Sequence, residues 1–175
     1  MKKSITLIIF AFLTLLGFSQ KNVKWYTIQE AEKLNKDVQR PIFIDTYTDW
    51  CGWCKKMDKD TFTDPVISDL LNNKFYPVKF NAEAKEDITV FGHTFVNDGK
   101  SGAAHQLAIE LLQGQLSYPT VVFLIPMNDG KLHSQAVPGY KPAKDMEVLL
   151  SYFSEKANYS KSFEDYQKGF LGKVK

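Results

Sequence analysis

The stretch that decides the reading of this chain is Ile42-Phe43-Ile44-Asp45-Thr46-Tyr47-Thr48-Asp49-Trp50-Cys51-Gly52-Trp53-Cys54-Lys55. Pro41 opens it, and the β-rich run Ile42-Phe43-Ile44 continues to Thr48 in the manner of a buried central strand. Asp49 to Gly52 turns the corner, and Trp53–Lys59 has the residues of a helix. Cys51 therefore falls at a helix N-terminus. The unpaired backbone N–H groups and the positive end of the helix dipole favour a thiolate there. The thiolate is the form that attacks a disulfide. Cys54, one turn later, lies on the same face and close enough to close a ring. Cys51 is thus expected to attack a substrate disulfide and Cys54 to resolve the mixed disulfide, the pair cycling between dithiol and disulfide.

The chain has 2 cysteines, both in this stretch. A small exported protein stapled by bridges usually carries four or more, at wider spacing. Closing so short a loop removes little chain entropy, on the order of 2 kcal/mol. A structural clip and half of a metal site are the competing readings. Zinc needs four ligands, commonly in two pairs, whereas His93, His105 and His133 are scattered and are expected to be surface or packing residues. No metal and no bound cofactor are expected, since the dithiol itself carries the electrons.

Outward from the centre, Val23–Tyr26 reads as a short edge strand. Thr27, with Glu30 three residues on, forms a capping box for a helix carrying Ile28, Ala31 and Leu34 and stopping near 36–39. Downstream, Thr63-Asp64-Pro65 starts a second helix, with a capping side chain before proline in the first turn, and Val66, Ile67, Leu70 and Leu71 form its apolar face. Phe75–Phe80 is the next strand, so a right-handed parallel crossover is expected. Residues 82–102 read as an insertion: Ile88–Phe91 and Thr94–Val96 flank Gly92-His93 as a small hairpin, and Asn97-Asp98-Gly99 is a turn. Ala103–Leu112 is a helix whose Leu107, Ile109 and Leu111 are core. Val121–Ile125 and Leu132–Val137, joined by Asn128-Asp129-Gly130, form an antiparallel pair. Lys141–Lys156 is the closing helix. The tail 159–175 is polar with aromatic punctuation, either a short helix on the body or a frayed end.

Residues 1–19 follow another pattern. Lys2 and Lys3 precede a nearly continuous apolar run, Ile5–Phe18, and Gly17 and Ser19 put small residues before Gln20. This is the three-part form of a cleaved signal peptide. The run, about 14 residues, falls short of the ~20 that span a bilayer; an uncleaved anchor is the alternative. A periplasmic or secreted location is therefore expected. Residues 20–158 then form one domain, in keeping with a length of 175 residues and a composition 44% hydrophobic. With a net charge of +2 and interspersed lysines and acids, the chain shows no phosphate-binding stripe, and nucleic acid is not expected as a partner.

The central stretch resembles the active-site strand and helix of the thioredoxin family. Tyr118-Pro119-Thr120 is similar to that family's cis-proline loop, and Gly139-Tyr140 falls near the glycine after its last strand. The similarity runs from Trp25 to Lys156. Cys54-Lys55 followed by Thr61-Phe62-Thr63-Asp64-Pro65 is also similar to the C-terminal, thioredoxin-like domain of the bacterial transmembrane disulfide reductase. The resemblance implies a three-layer α/β/α sandwich with a central mixed sheet. It implies that Asp45 is a buried acid taking the proton of the resolving cysteine, and that Lys79 accompanies it; the residues alone leave open a strand-end aspartate and a solvated lysine. It implies a cis bond before Pro119, with Tyr118 offering backbone groups to an extended substrate beside Cys51. Trp50, Gly52 and Trp53 complete the substrate-side candidates, the tryptophans either contacting substrate or covering the site. Gly52-Trp53 stands where the family commonly has Gly-Pro.

Two classes of function follow. The first is a thiol–disulfide oxidoreductase, most simply a reductase of disulfides in exported proteins, recharged by a membrane-bound thiol reductant. The second is a binding module of the same fold that holds an exported client without turnover.

Overall fold

The computed structural model describes residues 22–100, 102–127 and 131–175. The signal-peptide pattern and the Asn128-Asp129-Gly130 turn lie outside them.

Strand β1 (Ile42–Tyr47) runs through the middle of a four-stranded sheet. Its neighbours are β2 (Tyr76–Asn81), parallel, and β5 (Thr120–Pro126), antiparallel; β6 (Leu132–Pro138) pairs antiparallel with β5 and closes the order β2-β1-β5-β6. Between β1 and β2 the chain passes through α2 (Gly52–Asp60) and α3 (Pro65–Lys74). This is the mixed α/β sheet expected.

Alternation along the strands sorts the core into two layers. Ile42 and Ile44 of β1, with Val78, Phe80, Val122 and Leu124, pack against α1 (Ile28–Asp37) and α4 (Gln106–Leu111). Phe43, with Val121 and Phe123, packs on the other side against Met57, Ile67 and Leu71 of α2 and α3 and against Met146, Leu150 and Phe153 of α5 (Ala143–Ser154). The sheet is therefore covered on both faces.

Local signals explain most boundaries. Thr27 and Glu30 form the expected reciprocal capping box on α1. The Asp64 carboxylate accepts from the Val66 and Ile67 N–H groups ahead of Pro65 in α3. The hairpin in the insertion is present as β3 (Ile88–Val90) and β4 (His93–Phe95), with Thr89 opposite Thr94. Phe91 and Gly92 both have positive φ, 53° and 75°, as a two-residue hairpin turn of this hand requires.

Three expectations needed correction. Val23–Tyr26 is not a strand: only Tyr26 bridges to β2, at Val78, before Thr27 turns the chain into α1. Helix α4 starts at Gln106 rather than Ala103, because Asn97 Nδ2 donates to the Ala103 carbonyl and the His105 N–H goes to the Ala82 carbonyl. Its Leu107 and Leu111 are core, while Ile109 is half-buried. His105 then caps the helix as a packing residue. Its Nδ1 accepts from the Leu107 N–H and its Nε2 meets the Glu86 carbonyl, which requires the Nε2–H tautomer. His93 and His133 are exposed.

The tail is a short helix, α6 (Phe163–Lys168), packed on the body. Phe163, Tyr166 and Val174 extend the aromatic layer, and the Tyr152 hydroxyl donates to the Lys161 carbonyl. Beyond α6, the backbone N–H groups of Lys173 and Val174 both donate to the buried Glu147 carboxylate, at 2.6 and 2.9 Å. Among the described residues no helix is long and apolar enough to cross a membrane.

Candidate active site

The C-terminal end of β1 delivers the chain to Cys51, which is the N-cap of α2. Its Sγ accepts from the Cys54 N–H at 3.1 Å, the interaction an N-cap side chain makes with the third helical residue. The two sulfurs are joined, Sγ to Sγ 2.07 Å, and both residues are buried. A thiolate at Cys51 would receive the same N–H and the same dipole. Gly52 is the first residue of α2, and a Cβ there would meet nothing within 4 Å. No side chain at that position stands over the disulfide.

Asp45 has the same strand parity as Phe43, so it faces the layer that α2 covers. It is 0% exposed. Its register partner on β2 is Lys79, whose Nζ lies 2.5 Å from Asp45 Oδ2. The same ammonium also pairs with Asp58, four residues after Cys54 on α2. Its remaining neighbours are aromatic, with the Trp25, Tyr47 and Phe62 ring centroids 5.2, 5.1 and 5.3 Å away. Lys79 is thus not a solvated lysine. It is a half-buried tie between β1, β2 and α2.

Burial pushes the Asp45 carboxyl up to about 6, and Lys79 only partly offsets this. Burial pulls the Lys79 ammonium down, but Asp45 and Asp58 more than offset it and hold it above its ordinary value. Asp45 Oδ1 meets no donor among the described residues. A buried carboxylate with one uncommitted oxygen and a pKa raised toward neutrality can take and return a proton.

On the substrate side, the Tyr118–Pro119 bond is cis. The Pro119 carbonyl accepts from the Gly139 N–H at 2.8 Å, which ties this loop to the end of β6, and Gly139 has φ +87°. Such a φ suits glycine. No hydrogen bond among the described residues engages the backbone N–H or C=O of Tyr118, so both are available to an extended chain. Trp50 and Trp53 are 67% and 59% exposed. Trp50 leans edge-on against Tyr118 and Trp53 against Tyr140, with centroids 5.9 and 5.4 Å apart.

Residues 11–152 match the DsbH-type thioredoxin family, described as a protein of unknown function, DUF255. The chain belongs to this family. An uncharacterized protein of Caenorhabditis elegans, B0495.5, is 28% identical over 141 residues, 79% of this chain and 17% of that protein. The thiol:disulfide interchange protein DsbD of Escherichia coli K12 is 25% identical over 138 residues, 75% of this chain and 21% of that protein. The chain thus spans about a fifth of the length of these curated relatives. In fold, it is similar to a thioredoxin from Thermus thermophilus, with TM-score 0.56 at 18% identity, covering 87% of this chain and 100% of the other.

The structure gathers the residues singled out from sequence around the start of α2. Cys51, Gly52 and Cys54 lie at the start of α2, Asp45 and Lys79 under it, and Trp50 beside Tyr118 in the loop before Pro119. Two residues were missed. Asp58 sits one turn past Cys54 and so on its face of α2, a signal available from helical spacing. Glu83, whose carboxylate accepts from the Trp50 indole at 3.0 Å, lies 33 residues further along the chain and has no local signal. Among the described residues no group of three or more His, Cys, Asp or Glu gathers in a metal-binding arrangement.

Proposed function

We propose that this chain is an exported thiol–disulfide oxidoreductase that reduces disulfides in exported proteins and is recharged by a membrane-bound thiol reductant. The observation that carries the reading is Cys51 at the N-cap of α2, its sulfur on the Cys54 N–H, over the Asp45–Lys79–Asp58 group. The signal-peptide pattern of residues 1–19 and the printed name of the DsbD relative support location and partner.

In the reduced form the Cys51 thiolate attacks one sulfur of a client disulfide and the other client sulfur leaves as a thiolate. Asp45, ionised near neutral pH, accepts the proton of Cys54. The Cys54 thiolate then attacks Cys51 Sγ, and the second client sulfur leaves. Two electrons pass to the client, whose thiolates take up two protons, and the Cys51–Cys54 bond is formed. That bond is the one present in the structure. The membrane reductant returns the two electrons.

Equilibrating the purified chain in graded glutathione buffers, with the thiols trapped by alkylation, tests this. A potential near about −230 mV or lower marks a reductant, and one near about −120 mV a donor of disulfides. Cys51→Ser is expected to abolish reduction of a model protein disulfide. A pair that exchanges at no poise, or client binding that survives Cys51→Ser with no turnover in the parent, would leave the binding module in its place.

A further inference from the structure

Two aromatic pairs stand beside the disulfide, and they differ in the charged group that touches them. At Trp53–Tyr140, the chain supplies its own cation: Lys56 Nζ lies 5.5 Å from the centroid of the Tyr140 ring and is itself neutralised by Asp60. At Trp50–Tyr118 the charged group is an anion. Glu83 Oε1 accepts the Trp50 indole N–H at 3.0 Å. Its second oxygen has no donor, and Glu83 has no ion-pair partner, among the described residues.

The position of this carboxylate is built rather than incidental. Glu83 is the second residue of the 82–102 insertion, two past the end of β2, and its own N–H donates to the Asn81 side chain at 2.9 Å, which fixes the turn. Its charge reaches the second ring of the pair: burial first, and Glu83 after it, holds the Tyr118 hydroxyl above its ordinary value. Glu83 is half-buried. A cation over an aromatic face within about 6 Å is attracted by the ring quadrupole, and the largely exposed Trp50 leaves such a face open. Trp53–Tyr140 already has this arrangement with its own lysine. Trp50–Tyr118 has the ring and the anion and lacks the cation.

We propose that Glu83, Trp50 and Tyr118 form a seat for a cationic side chain, Lys or Arg, that stands beside the disulfide of an extended client polypeptide. This rests on the oxidoreductase reading for the client's presence at the site, and adds the charge of the residue that client must carry. Glu83 is the specificity-determining residue. The insertion is then the element through which the chain selects among disulfides.

The test uses synthetic peptides bearing one disulfide and differing at one position next to a cysteine, Arg in one and norleucine in the other. Binding to the oxidised chain and kcat/KM with the reduced chain are both measured. The Arg peptide is expected to be favoured roughly five- to tenfold, the size of an aromatic contact plus a partly exposed charge pair. The preference should shrink as salt rises. Glu83→Gln should remove the charge-pair share and lower the ratio about two- to threefold, leaving only the aromatic contact of Trp50, whereas Glu164→Gln, which removes the same charge from α6, should leave it intact. Equal binding of the two peptides, or a preference undiminished by Glu83→Gln, overturns the seat. An Arg preference in binding without reduction of either peptide sinks the oxidoreductase reading and keeps the seat. Reduction of both peptides at the same kcat/KM, with equal affinity, does the reverse.

Discussion

The two faces of β1 are built from alternate residues of one six-residue strand, yet they are different materials. Ile42 and Ile44 face a mostly aliphatic layer closed by side chains of β2, β5, α1 and α4, with Phe80 of β2 among them. Phe43 and Asp45 face the other way. Phe43 sits among rings, with the centroids of Phe62, Phe75 and Phe123 at 6.0, 6.4 and 5.5 Å. One step along the same face, Asp45 carries a charge at 0% exposure. The aliphatic face does one thing, which is to hold the sheet. The other holds the sheet at Phe43 and, in the function proposed above, takes a proton at Asp45. Stability and chemistry are thus separated by two residues on one face, and by one residue across the strand.

Substitutions can break that division. Phe43→Ala should cost most, about 3–5 kcal/mol from lost burial and the cavity left among the rings, as read by chemical denaturation. If it cost no more than Ile44→Val, the aromatic layer would not be the main support. Asp45→Asn should slow disulfide exchange about a hundredfold near neutral pH by removing the proton acceptor, and should leave the fold intact. The stability effect has a definite sign. Folding raises the Asp45 pKa from 3.8 to about 6. The stabilising contribution of its neutral form is therefore whole below about pH 4 and fades as pH rises through about 6. The parent should lose on the order of 3 kcal/mol across that window from this group, and Asp45→Asn should not show the loss.

Lys79→Met is the sharper probe of the charged end. It leaves Asp45 buried without its counterion, so the variant should be weaker by roughly 1–3 kcal/mol at pH 8. The deficit should be small at pH 5, where the carboxyl can remain protonated. A pH-independent deficit would mean that Lys79 acts through its packing on Trp25, Tyr47 and Phe62 instead. Ile44→Val, on the aliphatic face, should have the smallest effect, about 0.5–1.5 kcal/mol, with exchange rates unchanged. A slowed rate there would show that the two faces are coupled.

Much of this was legible because the signals are local. Short continuous β-rich apolar runs locate β1, β2 and β5, the capping pair Thr27 and Glu30 starts α1, and Asp64 before Pro65 starts α3. The cysteine spacing at a strand-to-helix turn marks the reactive site. What escaped depends on partners distant in sequence. Val23–Tyr26 has the composition of a strand, but only one of its residues bridges to β2. Ala103 and Ala104 are good helix formers held out of α4 by groups on Asn97 and Ala82. The burial of Lys79 is set by Asp45 and by Asp58, neither near it in sequence. Glu83 becomes part of the site only once the insertion is folded against Trp50.

The fastening of the tail to Glu147 has a consequence for how this protein can vary. Both donors are backbone N–H groups, of Lys173 and Val174, so any residue but proline can stand at either position and still donate. The constraint falls on Gly172 instead, where a Cβ would lie 2.7 Å from the Glu147 carboxylate. The hydrogen bonds therefore leave the side chains at 173 and 174 to be chosen by packing alone, while Gly172 and the acid on α5 must change together.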